Sequence, residues 1–184
     1  MNALFWFSYA LLWVLLAVTS VSVYALYHHF GQMYLTSREG RADQGPAVGA
    51  RLRRTEALDL DSVPRLLPSR GVPALVVFTS TTCPVCEAMR LDLIEVARER
   101  PDLPVYVFCH GSARAVRDWA GELASAATVV PDPRLRHATR YEVAVTPFGI
   151  AVSADNLVRA RGIVNDLDGL RALAGSVQDL EEVR

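Results

Sequence analysis

The chain has 184 residues, 51% hydrophobic and 21% charged, which suits one domain with a short appendage and excludes a disordered protein. Nineteen basic and twenty acidic residues give a formal net charge of −1. This balance argues against nucleic acid as a partner, because nucleic-acid binding needs a strongly basic face. Three cysteines are too few for a dense disulfide scaffold.

The N-terminal segment predicts a membrane anchor. The first 37 residues contain no Asp, Glu, Lys or Arg, and an apolar stretch runs from about Ala3 to Tyr27. About 20 apolar residues cross the ~30 Å hydrocarbon core of a bilayer. We therefore predict a transmembrane helix over residues 1–30, held in membrane lipid. A cleaved signal peptide is disfavoured, because the charged n-region is missing and the apolar run is too long.

The charges after the anchor bear on its orientation. Arg38, Arg41, Arg51, Arg53 and Arg54 follow the apolar stretch. Under the positive-inside rule, they favour a cytoplasmic location for the rest of the chain. The chemistry inferred below favours the extracytoplasmic side of the cytoplasmic membrane, so both orientations stay open at this point.

The remainder predicts an α/β domain. Residues 31–60 are interpreted as a linker and irregular lead-in, and residues 61–184 as the folded domain. Strands alternate with helices early in this domain, which implies parallel crossovers, and a closing hairpin adds an antiparallel edge. The predicted strands are 75–79, 103–109, 128–130, 148–152 and 157–162; the predicted helices are 87–98, 112–124, 133–141 and a last one capped by Asp166, with an apolar stripe reaching Leu180.

Two cysteines three residues apart carry the predicted chemistry. Cys83 follows an apolar strand and opens a helix, where free backbone N–H groups and the helix dipole stabilise a thiolate. Cys86 lies one turn further and can resolve a mixed disulfide. Pro84 suits the first helical turn, where its missing N–H has no cost. We predict a redox-active Cys83–Cys86 pair that uses neither a cofactor nor a metal.

The cysteines have two alternative roles. A zinc site needs two more Cys or His ligands, and Cys109-His110 is the only other such pair. A pair of inert thiols is the second alternative. Cys109 ends an apolar strand and is interpreted as a small buried hydrophobe, with a third redox thiol as the alternative.

A Thr-Pro dipeptide supplies the second element of the predicted site. Thr146-Pro147 precedes the strand that starts at Phe148, and the proline cannot complete a ladder hydrogen bond. The position suits a cis peptide bond. We predict that Thr146 and Pro147 lie beside Cys83, and that Phe148 and Gly149 line a groove where a substrate chain pairs with the backbone.

These motifs resemble the thioredoxin superfamily, and most closely its membrane-anchored branch, typified by the methylamine-utilisation protein MauD and TlpA-like proteins. The matching segments, in order, are the anchor, 44–49, 78–86, 146–149 and 158–162. The resemblance implies a thioredoxin-like fold, a mixed sheet flanked by helices, on the outer face of the cytoplasmic membrane. It also implies disulfide handling in an exported client with cysteines, such as a methylamine-dehydrogenase-type enzyme, with a membrane or thioredoxin-type electron donor or acceptor.

One departure from the family concerns the resolving cysteine. Many thioredoxins carry a buried acid six residues before the first cysteine, and Val77 occupies that position here. Such an acid helps to deprotonate the resolving thiol. Two alternatives to the leading function stay open: a non-catalytic thioredoxin-like docking module that scaffolds a membrane enzyme complex, and a reductase that faces the cytoplasm.

Overall fold

A computed structural model describes residues 3–42 and 44–177, with only the backbone of residues 3, 4 and 25–42. The chain divides into two compact units, 1–42 and 43–184. The first is a single helix, and its segment Phe5–Tyr24 is long and apolar enough to cross a membrane. This segment fits a single-pass anchor.

The helix continues beyond the predicted anchor. It ends at Ala42 rather than near residue 30, so the first part of the expected linker is helical. The physical reason is composition, because residues 31–42 contain several good helix formers and the first proline of the chain is Pro46.

The second unit contains seven strands and five helices among the described residues, and it follows α1 of the first unit. In chain order the elements are α1 Ala3–Ala42, β1 Thr55–Leu58, β2 Pro64–Leu67, β3 Ala74–Ser80, α2 Pro84–Glu99, β4 Val105–His110, α3 Ala113–Ala120, α4 Leu123–Ala126, β5 Thr128–Pro131, α5 Arg136–Arg140, β6 Phe148–Val152, β7 Val158–Ile163 and α6 Leu167–Gly175.

The main sheet has five strands in the order β5-β4-β3-β6-β7. Strands β3, β4 and β5 are parallel, whereas β6 and β7 form an antiparallel hairpin beside β3. This topology confirms the prediction of parallel crossovers followed by an antiparallel edge. Every residue of β3 is buried, as expected for a central strand covered on both faces.

Alternate residues of β3 enter two separate cores, one on each face of the sheet. Leu75 and Val77 pack with α2, α3, α4 and α6, in the core that also holds Cys86 and Cys109. Phe78 packs on the other face, with Phe108, Tyr141 and Phe148 among its neighbours. Because both of its faces are packed, β3 holds the segment that follows its C-terminal end in a fixed position.

The lead-in before β3 is part of the folded unit. Strands β1 and β2 form an antiparallel pair that the sequence reading missed, because the polar residues of β1 leave no continuous apolar run. Leu52 is buried in the second core. The Gly49 N–H donates to the Val158 carbonyl, and the Leu52 N–H donates to the Asn156 carbonyl.

Two predicted helices are shorter than expected. The segment 112–124 divides into α3 and α4, because Gly121 has a φ of +47° that ends α3. The segment 133–141 is helical only in α5, whose first N–H groups donate to the Asp132 carboxylate. The Asp166 cap of α6 is confirmed by its 2.8 Å hydrogen bond from the Gly169 N–H. Leu180 lies outside the described residues.

Candidate functional site: a dithiol at a strand–helix corner

The site forms where β3 ends and α2 begins. Cys83 is the N-cap residue of α2, and Pro84 occupies the first turn. On the neighbouring strand, Phe148 pairs in antiparallel register with Phe78. This register brings the two residues that precede β6, Thr146 and Pro147, to the same end of the sheet as Cys83.

The Cys83 sulfur has two polar contacts. It accepts the Cys86 N–H at 3.3 Å, and the thiol donates to the Thr146 carbonyl oxygen with an S···O distance of 3.8 Å. The Thr146–Pro147 peptide bond is cis. Cys83 and Cys86 therefore meet Thr146, which lies 63 positions after Cys83, at one point of the fold.

The two thiols differ in exposure. Cys83 is partly exposed, whereas Cys86 is fully buried; the structure holds both as free thiols. Burial raises the pKa of Cys86 to about 12, and the hydrogen bond and charge of Cys83 act in the same direction. Cys86 is therefore a neutral thiol near neutral pH.

Hydrogen bonds to the main chain fix the corner that carries Cys83. The Cys83 N–H donates to the Ser80 carbonyl at 3.2 Å, and the Thr81 N–H donates to the His110 carbonyl at 3.0 Å. Gly111 leaves room for this contact, because a Cβ there would lie 2.9 Å from the Thr81 side chain. The sequence reading missed Ser80, Thr81 and Gly111; their only signal was a polar turn and a glycine after apolar strands.

Cys109 is placed as the sequence predicted. It is fully buried on β4 beside Thr79 of β3, and burial raises its pKa to about 11. The neighbouring His110 ring lies 3.1 Å from the Asp132 carbonyl oxygen, through Nδ1. Among the residues that the structure describes, no three His, Cys, Asp or Glu side chains are grouped so as to hold a metal ion.

The predicted groove residues separate into two sets. Pro84 is exposed and Thr146 is partly exposed at the rim, whereas Pro147 is buried. Phe148 is only 1% exposed and belongs to the core on the sheet face opposite Cys86. Gly149 faces Leu173 of α6. Phe148 and Gly149 are buried and pair with β3 on one side and β7 on the other. Their role in a substrate-binding groove stays a prediction.

Known proteins share this fold and part of this sequence. No protein-family model matches the chain. It is 24% identical over 140 residues to the methylamine utilization protein MauD of Methylobacillus flagellatus, a match that covers 71% of this chain. The chain spans 64% of that relative's length.

Two solved structures have the same architecture. A secreted disulfide oxidoreductase of Mycobacterium tuberculosis has a TM-score of 0.58 at 23% identity, covering 68% of this chain and 96% of its own. The thioredoxin domain of a Bacteroides vulgatus thiol-disulfide oxidoreductase has a TM-score of 0.63 at 17% identity, covering 72% and 99%.

The sheet order and the position of the cysteines define a thioredoxin-like fold, with an N-terminal helix that fits a membrane anchor. In sequence the chain is similar to the methylamine utilization protein MauD, and in fold it is similar to thiol-disulfide oxidoreductases of solved structure.

The difference in exposure predicts an order of alkylation. Cys83 is accessible and lies at a helix N-terminus, whereas Cys86 and Cys109 are buried and neutral. Reduced protein given limiting iodoacetamide at pH 7 is expected to react at Cys83 at least about tenfold faster than at the other two cysteines. Peptide mass spectrometry measures the three rates; equal rates would contradict this reading of the site.

Proposed function

We propose that the protein is a membrane-anchored thiol–disulfide oxidoreductase in which Cys83 attacks and Cys86 resolves. The observation that carries this proposal is the geometry of the pair. A partly exposed sulfur caps a helix and accepts the N–H of a second, buried cysteine. The apolar segment Phe5–Tyr24, which is long enough to cross a membrane, supports the membrane-anchored location.

The proposed reaction transfers two electrons to a client disulfide. The Cys83 thiolate attacks one client sulfur, forming a mixed disulfide and releasing the other client sulfur as a thiolate. Cys86 then loses its proton and attacks the Cys83 sulfur, which breaks the mixed disulfide and releases the second client thiolate. The protein ends as a Cys83–Cys86 disulfide and the client as a dithiol. Oxidation of a client is the same sequence in reverse.

The structure gives a reason for the order of these steps. The hydrogen bond and the charge of Cys83 both raise the pKa of Cys86. A mixed disulfide removes the charge on Cys83, so the Cys86 pKa falls once the client is attached. Burial remains as the larger cause of the shift, so deprotonation of Cys86 limits the resolving step.

The partners follow from the same chemistry. We propose that the client is an exported protein with cysteines, and that a membrane or thioredoxin-type dithiol restores the reduced Cys83–Cys86 pair. The narrower proposal is a client of the methylamine-dehydrogenase type, supported by the sequence match to a methylamine utilization protein. The dithiol itself carries the electrons, so the proposal needs no cofactor.

Mixed-disulfide trapping tests the roles of the two thiols. Cys86→Ser is expected to accumulate adducts through Cys83, at least about tenfold above wild type, because the resolving thiol is absent. Cys83→Ser is expected to give none, and Cys109→Ser serves as the matched control that behaves as wild type. Adducts are counted on non-reducing gels with mass spectrometry of the linked peptides.

Client maturation, measured in the same variants, separates the proposal from its alternative. A docking module without thiol chemistry would leave client maturation normal in both Cys83→Ser and Cys86→Ser. Adducts through Cys109 would overturn the assignment of roles.

We propose that the domain lies outside the cytoplasm, because disulfides persist in oxidising compartments and are rare in the cytosol. A phosphatase reporter that is active only outside the cytoplasm, fused after Arg184, is expected to be active. A β-galactosidase fused at the same place is the control and is expected to be inactive. The reverse pattern would instead support a reductase that faces the cytoplasm.

A buried acid at position 77 is expected to speed the resolving step. Val77 is fully buried in the same core cluster as Cys86. In wild type, resolution is expected to accelerate about tenfold per pH unit from pH 6.5 to 8.5, because burial keeps the pKa of Cys86 raised in the mixed disulfide and the thiolate fraction rises tenfold per unit below the pKa. Val77→Asp supplies a local base, so resolution at pH 7 is expected to rise at least about tenfold.

The matched control for this variant is Val105→Asp. Val105 belongs to the same cluster but pairs with Leu75, near the other end of β3. Both variants are expected to lose about 3 kcal/mol of unfolding free energy, because each buries an unpaired acid. Only Val77→Asp is expected to show the faster rate and a shallower pH dependence, measured by stopped-flow release of a thiol leaving group.

A further inference from the structure

A groove of about 630 Å³ lies at the end of the sheet opposite Cys83. One of its walls is the turn between β6 and β7, and Val152, just before that turn, pairs with Ala74 at the start of β3. Cys83 follows the other end of β3, about 23 Å away for seven strand residues. The lining consists of Arg51, Leu52, Arg53, Arg54, Arg70, Arg140 and Asn156.

Five of these seven residues are arginines, and the lining contains no acid. None of the five forms an ion pair with any acid among residues 44–177. Arg54 and Arg140 donate to main-chain carbonyls, of Pro68 and of Arg54 respectively. The nearby Asp155 accepts from the Ser153 hydroxyl. No arginine of the groove therefore has an ion-pair partner in the described unit.

Asn156 is a fixed polar group of this groove. It is 6% exposed, and its Oδ1 is buried without a hydrogen-bond partner. Both main-chain polar groups of Asn156 are hydrogen-bonded: its N–H donates to the Ser153 carbonyl, and its carbonyl accepts the Leu52 N–H. A buried amide without a partner is costly unless a ligand or water completes it. An amide oxygen is an acceptor, so a water or a hydroxyl would complete it and a phosphate oxygen would not. The case for an anionic ligand therefore rests on the arginines.

We propose that the groove binds the phosphate headgroup of an anionic phospholipid. Guanidinium groups form paired hydrogen bonds with phosphate oxygens, and basic clusters next to a membrane segment bind anionic lipids. The chain itself tethers the groove to the bilayer, because only 26 residues lie between Tyr24, the end of the apolar segment, and Arg51. Such a tether makes headgroup binding intramolecular and raises its effective concentration.

A lipid fits this groove better than an acidic protein. Protein interfaces depend on an apolar centre with aromatic or aliphatic anchors. The only apolar residue of the lining, Leu52, is 2% exposed and already packed in the core. A bound headgroup would give the domain a second attachment to the membrane. The proposal rests on the anchor and is independent of the dithiol chemistry.

The test uses the full chain in dodecyl maltoside micelles and short-chain lipids as probes. Isothermal titration is expected to detect binding of dihexanoyl-phosphatidylglycerol and none of dihexanoyl-phosphatidylcholine. The groove variant is Arg51→Gln with Arg53→Gln and Arg70→Gln, three exposed arginines without a described side-chain hydrogen bond. Each is expected to weaken binding about fivefold, so the triple variant loses roughly a hundredfold.

The matched control removes the same charge elsewhere, by Arg98→Gln with Arg114→Gln and Arg134→Gln, which are exposed and outside the groove. It is expected to change binding by less than about threefold. Equal loss in both triple variants would overturn the proposal in favour of a net-charge effect. Inorganic phosphate that binds as tightly as the lipid, or a polyglutamate peptide that binds more tightly, would overturn the lipid assignment. Arg70→Gln alone keeps the test valid if the triple variant fails to fold.

Discussion

The hydrogen bond from the Cys86 N–H to the Cys83 sulfur is the interaction on which the arrangement of the site depends. The first turn of a helix has free N–H groups that are usually capped by Ser, Thr, Asp or Asn. Here a thiol takes that position, and sulfur is a weak acceptor. The cap therefore contributes less to helix stability than an oxygen would, and the same N–H groups are left to stabilise charge on sulfur.

The rest of the domain fixes the position of the junction between β3 and α2. All seven residues of β3 are buried, and the strand is hydrogen-bonded to a parallel neighbour on one side and an antiparallel one on the other. The antiparallel partner is what delivers the Thr146 carbonyl to Cys83, since a parallel β6 would begin at the opposite end of the sheet. A mixed sheet is thus a requirement of the site and not only a feature of the fold.

Much of this arrangement could be predicted from local signals. The strand β3, the cap at Asp166 and the strand β6 each depend on a continuous apolar run or a capping residue within a few positions. Other parts could not be predicted, because their cause is not local. The pair β1 and β2 has only a partial alternation of buried and exposed residues, and the burial of Phe148 depends on which face of the sheet receives α2.

The arginine groove is another feature whose cause is not local, and it affects the prediction of the membrane orientation. Arg51, Arg53 and Arg54 favour a cytoplasmic location if they are counted as charges of a loop next to the membrane helix. In the fold, however, they line one groove together with Arg70 and Arg140. The positive-inside rule concerns charges within about 15–20 residues of a membrane helix. Arg51 lies 27 positions after Tyr24 and belongs to the folded unit. Of the arginines that opposed an extracytoplasmic domain, only Arg38 and Arg41 remain within that range, so the conflict between the charge pattern and the proposed disulfide chemistry becomes much smaller.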